Sequence, residues 1–146
     1  MTTDTIEVVL VKSDKVLEIP QYKTEGAAGA DLISVESLTL TPGGTHKVST
    51  GISVAIPEGY AGFVVSRSGL ASKGIVVANS PGIIDSDYRG EIGVLLRNTT
   101  PAPVDIPAGT RVAQLLIMPV IQARFVIVDT LTTTVRGSGG FGSTGT

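Results

Sequence analysis

The chain has 146 residues and a mass of 15.0 kDa, room for one domain with a real core but not for two. Val, Ile and Thr number 48, and 18 Gly and 8 Pro punctuate them, so the composition points to an all-β domain and away from a helical bundle. The hydrophobic share (42%) against the charged one (16%) excludes disorder of the whole chain. The lack of Cys excludes disulfides, thiolate metal sites and thiol catalysis, and a net charge of −2 with no basic run disfavours a nucleic-acid binder.

The first residues, with Asp4 and Glu7, lack a basic region followed by a long apolar one, so no export signal is expected. The longest apolar stretch, 112–121, is broken by Gln114 and Pro119 and is too short to span a bilayer as a helix. A soluble protein is expected, in the cytoplasm, or in the nucleus or a virus-infected cell, with no membrane and no nucleic acid as partner.

Short apolar segments then recur between turn signals. Strands are expected at 6–11, 31–35, 38–41, 46–56, 60–66, 75–78, 91–97, 111–119 and 124–131, with Gly or Pro in the gaps. That spacing reads as a sandwich or barrel rather than as βαβ units. One short helix is expected within 66–73, weakened by Gly69. The end of the chain differs: five of its last ten residues are Gly, and 132–146 cannot pack a core. The expected organisation is a β domain at 1–131 and a flexible arm at 132–146.

Five segments could carry chemistry, each with a plain structural alternative. In the arm, Gly137, Gly139 and Gly142 match G-x-G-x-x-G, but a dinucleotide fingerprint needs a helix after it, and four residues follow here. What remains is a set of exposed amides able to wrap an anion, with the charge of Arg136 beside them. Ser138, Ser143 and Thr144 add hydroxyls and Phe141 a ring for stacking. The alternative is a slack tail. Ser66-Arg67-Ser68-Gly69-Leu70-Ala71 sets an Arg where a strand gives way to a helix start, which suits an anion or simply a surface Arg.

Asn79-Ser80-Pro81-Gly82-Ile83-Ile84-Asp85-Ser86-Asp87-Tyr88-Arg89-Gly90-Glu91 reads as a hairpin with charged rim residues. It also offers a carboxylate as general base, a Tyr ring for a sugar and an Asn amide for a base edge. In Gly109-Thr110-Arg111-Val112-Ala113-Gln114, the amide of Gln114 on an apolar strand needs partners, either backbone or ligand. In Ala27-Ala28-Gly29-Ala30-Asp31-Leu32, small residues allow close approach, and Asp31 is either structural or the holder of a metal-bound water. His46, alone, argues against a His-based metal site, and Lys12, Lys15, Lys23 and Lys47 read as solvated surface groups.

In order along the chain, these segments resemble the five motifs of the trimeric dUTPase family: Ala28-Gly29-Ala30-Asp31-Leu32, Arg67-Ser68-Gly69-Leu70-Ala71, Gly82 through Gly90, Gly109 through Gln114, and Arg136 through Gly145. The family usually has Pro before the second motif where Ser66 stands here, which predicts a looser turn around Arg67. The related dCTP deaminase group shares the fold, and the segment from Asp85 to Tyr88 favours the dUTPase side. The resemblance implies a jelly-roll-like all-β subunit in a homotrimer, with each active site built from all three chains. It implies Mg²⁺-dependent hydrolysis of dUTP to dUMP and pyrophosphate, limiting uracil in DNA and supplying dUMP for dTTP synthesis.

The resemblance also assigns roles. Asp85 would activate the water that attacks the α-phosphorus in line. Asn79, with Gly82 and Ile84 beside it, would take the uracil, and Tyr88 would pack under the deoxyribose. Arg67, Ser68, Gly69 and Gln114 would hold the phosphates, and Asp31 a water of the Mg²⁺ shell. Arg136 would reach the γ-phosphate, Phe141 would stack on the uracil, and Gly142, Ser143 and Thr144 would close on the triphosphate.

Overall fold

The computed structural model describes residues 4–145, and among them lie eleven strands and one helical turn. In chain order these are β1 (Val9–Lys12), β2 (Ala30–Ile33), β3 (Leu38–Leu40), β4 (Thr45–Ser49), β5 (Ile52–Ala55), β6 (Tyr60–Val65), α1 (Ser68–Ala71), β7 (Ile75–Val77), β8 (Gly82–Ile84), β9 (Gly93–Asn98), β10 (Val104–Ile106) and β11 (Arg111–Pro119). All pairs among them are antiparallel. Four small sheets result, ordered β2-β11-β6-β8, β4-β9-β7, β1-β5 and β3-β10. The expectation of an all-β, jelly-roll-like architecture is met.

Alternation explains where the core lies. Val94, Leu96 and Asn98 of β9 are fully buried while Leu95 and Arg97 between them are not, and Ile52 and Val54 of β5 follow the same rule. These side chains meet Leu32, Leu40, Val48, Val64, Ile75, Ile106 and Leu115 in one core. The buried amide of Asn98 is fully occupied. Its Nδ2 donates to the carbonyls of Leu40 (3.0 Å) and Ala102 (2.7 Å), and its Oδ1 accepts from the N–H (2.9 Å) and hydroxyl (2.7 Å) of Thr100. Among the described residues, no helix is long and apolar enough to cross a membrane.

Several elements depart from expectation. The stretch 46–56 is two strands, split at Thr50-Gly51, where Gly51 turns at φ +70° and a Cβ would come within 2.6 Å of Val16 Cγ2. β8 and β10, three residues each, were not expected as strands. The helix shrinks to one turn. Residues 124–131, expected as a strand, have no strand partner among the described residues and are exposed throughout. The strands end at Pro119, twelve residues before the compositional change at 131/132. Beyond it, Ile121, Phe125, Ile127 and Leu131 lie 97%, 93%, 99% and 86% exposed.

Candidate functional site

The four-stranded sheet sets the segments of Asp31, Arg67 and Gln114 side by side. Gln114 on the central strand β11 stands opposite Asp31 of β2 on one side and Val65 of β6 on the other. Its Nε2 donates to the carbonyl of Ser66 (3.3 Å), so it ties β11 to the residue just before Arg67. Gly29 makes room for it: a Cβ there would lie 2.7 Å from Gln114 Oε1. Asp31, nearly buried, receives two guanidinium groups, Arg67 Nε at 3.5 Å on Oδ1 and Arg111 Nη1 at 3.4 Å on Oδ2. Arg67 Nη1 also donates to the carbonyl of Arg111 (3.2 Å). Ser68 and Gly69 open α1, whose start has no side-chain cap. Two cations and one anion thus leave this end of the sheet with an excess of positive charge suited to an anion.

Ser66 corrects the expectation of a looser turn. Its Oγ accepts from Val77 N–H (2.9 Å), its own N–H donates to Ser80 Oγ (3.3 Å), and its carbonyl takes Gln114. A Pro could not make the first two bonds, so hydrogen bonds hold here what a ring would hold elsewhere.

The third motif forms a separate cavity of about 250 Å³. Asn79, Gly82, Ile84, Asp85 and Tyr88 all line it, together with Lys47 and Glu91. Asn79 rests over Gly82, whose missing Cβ would be 3.1 Å from Asn79 Nδ2. Asp85, exposed, follows β8 directly, and its carbonyl accepts the Tyr88 N–H (3.1 Å). Tyr88 presents an exposed ring, its hydroxyl donating to the Glu91 carbonyl at 3.0 Å. Lys47 is exposed, as expected, and lies at the edge of this cavity.

None of Arg67, Ser68, Gly69 and Gln114 lines this cavity. Strand register gives the reason. β6 and β8 pair Gly62 with Ile84 and Val64 with Gly82. Continuing that register sets Asp85 opposite Ala61, six residues from Arg67, or roughly 20 Å along the strand at about 3.3 Å per residue. The single chain therefore brings together the phosphate-type group (Asp31, Arg67, Gln114) and, apart from it, the cavity group (Asn79, Asp85, Tyr88).

The arm forms a third, separate part. Among the described residues, the hydrogen bonds of residues 134–145 stay inside that segment, with Arg136 Nε donating to Gly139 O (2.8 Å) and Gly137 N–H to Thr134 Oγ1 (3.1 Å). Phe141 is fully exposed at φ +52°, and Gly142, Ser143 and Thr144 follow it in turns. A further concavity of about 280 Å³, largely apolar, lies between residues 15–20 and β2, and of the site residues it holds only Asp31.

Residues to which the sequence assigned no role are Arg111 and Glu91. Nothing in the sequence pairs Arg111 with Asp31 across 80 positions. Glu91 had a visible signal, its place directly after the DYRG run, but its partners are set by the fold. Its carboxylate accepts from Ser49 Oγ and from Gly51 N–H (2.8 Å). Those bonds, with the Lys47 charge nearby, outweigh its burial and hold its pKa below the usual carboxylate value. Among the described residues, no group of three or more His, Cys, Asp or Glu side chains is placed to hold a metal ion. His46 instead pairs with Glu36 (2.8 Å).

The dUTPase family model matches residues 15–145. The chain belongs to the dUTPase family. It is 51% identical over 145 residues to the deoxyuridine 5'-triphosphate nucleotidohydrolase of Leifsonia xyli subsp. xyli, covering 98% of this chain and 93% of that protein. It is 50% identical over 143 residues to the enzyme of the same name from Thermobifida fusca, covering 97% and 80%. In fold it is similar to the dUTPase of Staphylococcus bacteriophage 80alpha with dUPNHPP (TM-score 0.90, 28% identity, 97% of this chain and 100% of that one). It is also similar to a variant dUTPase of phage phi11 of S. aureus, described with a structural Mg(II) ion (TM-score 0.81, 26% identity, 88% and 100%).

Proposed function

We propose that this dUTPase-family chain hydrolyses dUTP to dUMP and pyrophosphate in sites that combine residues of three copies of the chain. The observation that carries the composite site is the separation just described. A base at Asp85 and phosphate ligands at Arg67 and Gln114 stand too far apart on one sheet to serve one triphosphate, so the cavity of one copy must meet the cationic end of another. The exposed apolar segment that precedes the arm gives the copies a reason to associate, because Ile121, Phe125, Ile127 and Leu131 find no cover among the described residues of their own chain. A homotrimer accounts for three separate parts: the cationic end, the cavity and the arm.

In this reading Asn79 offers an amide edge to uracil at the wall formed by Gly82 and Ile84. A cytosine presents the opposite donor–acceptor pattern and leaves that edge unpaired. Tyr88 lays its ring under the deoxyribose, where an added 2′-hydroxyl finds neither space nor partner. Arg67, the amides of Ser68 and Gly69, and Gln114 offset the charge of the triphosphate. Asp85 accepts a proton from the water that attacks the α-phosphorus as the bond to the pyrophosphate oxygen breaks. The arm closes the site: Arg136 pairs with the γ-phosphate, Phe141 stacks on uracil, and the amides and hydroxyls of Gly142, Ser143 and Thr144 wrap the phosphates.

Mg²⁺ fits this donor set as a metal carried on the substrate. A lone carboxylate, Asp31, already shared with two guanidinium groups, suits a metal that keeps its waters and binds substrate phosphates rather than an all-protein cage. Bound there, the ion supplies further neutralisation of phosphate charge. Asp31 and the residues around it bind and orient. The test is pyrophosphate release from dUTP with Mg²⁺, beside UTP, dCTP and dTTP. Turnover of dUTP well above the other three supports the reading. Ammonia release from dCTP would assign the chain to deamination, and no turnover of dUTP would end the proposal.

A further inference from the structure

We propose that Glu91 is a positioning residue for sugar selection, holding Tyr88 through the backbone that joins them. The proposal rests on the reading of Tyr88 as the residue under the deoxyribose. Glu91 occupies the end of the DYRG turn and is fastened at both its side chain and its carbonyl. The carboxylate accepts from Ser49 Oγ and from the Gly51 N–H, both at the junction of β4 and β5. The carbonyl accepts the Tyr88 hydroxyl at 3.0 Å. Lys47, on β4, faces the same cavity and adds an attractive charge. Gly90 lies between the two residues, and a Cβ there would stand 2.6 Å from the Tyr88 ring carbon Cζ. The ring is therefore folded back over Gly90, with its free end pinned to Glu91.

The physical consequence follows from the exposure of Tyr88. An exposed ring at the tip of a turn has no packing shell to lock its rotamer, so discrimination against one extra hydroxyl needs another restraint. The hydroxyl bond supplies it only if the Glu91 carbonyl is itself fixed. The Ser49 and Gly51 contacts fix it by anchoring the turn to a different part of the core, the β4–β5 junction, where the neighbouring Thr50 donates to the Ile92 carbonyl (2.6 Å). Cutting the carboxylate anchor frees the turn to swing, and the ring no longer crowds the 2′ position. Gln in place of Glu keeps an acceptor for both donors and preserves the restraint.

The experiment measures kcat/KM for dUTP and UTP in the full chain, in Glu91→Ala, Glu91→Gln and Tyr88→Ala, and in the double variant Tyr88→Ala/Glu91→Ala. Glu91→Ala is expected to raise the UTP-to-dUTP ratio about fivefold, the scale of one lost net hydrogen bond, and Glu91→Gln to leave it within about twofold. In the Tyr88→Ala background, Glu91→Ala is expected to add nothing to the ratio, because it acts through the ring. An unchanged ratio in Glu91→Ala, or the same rise with Tyr88 already removed, would overturn the proposal. A readout without substrate separates this from the activity itself. The chain has three tyrosines, so ring-labelled tyrosine NMR follows Tyr88 directly. Its ring signals are expected to shift in Glu91→Ala and to hold in Glu91→Gln. Signals that stay unmoved in Glu91→Ala overturn the positioning role whether or not dUTP is hydrolysed, whereas a wild-type chain inert toward dUTP overturns the functional reading alone.

Discussion

Cutting the chain at two different points separates the roles proposed for the apolar segment and for the arm that follows it. Ile121, Phe125, Ile127 and Leu131 are 97%, 93%, 99% and 86% exposed in the single chain. Full burial of a side chain of this size is worth about 1.5–3 kcal/mol, so covering all four in an assembly contributes roughly 6–12 kcal/mol. Bringing chains together costs an estimated 4–15 kcal/mol, so the apolar segment offsets a term of the same size as the cost of assembly. A chain cut after Pro119 loses all four residues and is expected to sediment as a monomer at micromolar concentration. A chain cut after Val135 keeps them and loses only Arg136 and the glycine-rich end, so it is expected to remain a trimer with poor turnover. Sedimentation equilibrium with a parallel dUTP assay reads both. A stable trimer after the first cut would refute the burial argument, and dissociation after the second would make the glycine-rich end structural.

Other predictions test single residues. Asp85→Asn is expected to keep dUTP affinity and to lower turnover by about 10²–10⁴, the usual contribution of a positioned base; near-normal turnover would remove Asp85 from that role. Asn98→Ala takes the side-chain donor from the buried Leu40 carbonyl and the acceptor from the Thr100 N–H and hydroxyl, and is expected to cost about 1–3 kcal/mol, read as a lower urea midpoint, and an unshifted midpoint would contradict the account of that network. The pKa of Glu91 lies below its ordinary value when folded, so the folded state binds fewer protons there and is stabilised above the unfolded pKa. That contribution is lost as pH falls through the folded value. The urea midpoint of the wild type is therefore expected to exceed that of Glu91→Gln near neutrality, with the gap closing in acid; a gap independent of pH would remove the ionised carboxylate as its cause.

The fold was most legible where a strand had enough residues to display a period. β6, β9 and β11 run six to nine residues, so their alternation against Gly and Pro marked them. β3 and β7, with three residues each, were marked only by their apolar residues between turn signals, β8 lay inside a segment that read as a hairpin, β10 was not expected as a strand, and Gly51 hid a corner inside what looked like one strand. Residues 124–131 carry a strand-like composition with no partner among the described residues, because composition reports a tendency to pair and not where the partner is. The site was legible as motifs but not as an arrangement. Asp31, Arg67 and Gln114 meet through the register of β2, β11 and β6, and the same register carries Asp85 to the far end of the sheet. The bonds that position the motifs come from Arg111, Ser66 and Glu91, whose partners lie up to 80 residues away. Ser66 shows the limit well: seen alone it was a missing proline, and in the fold it is a three-way junction.

Hydrolysis of dUTP in ¹⁸O-labelled water, with mass analysis of both products, tests the central claim most directly. Attack on the α-phosphorus by a water deprotonated at Asp85 puts the label in dUMP and leaves pyrophosphate unlabelled. Label in the pyrophosphate, or no products at all from dUTP in the presence of Mg²⁺, would contradict the account.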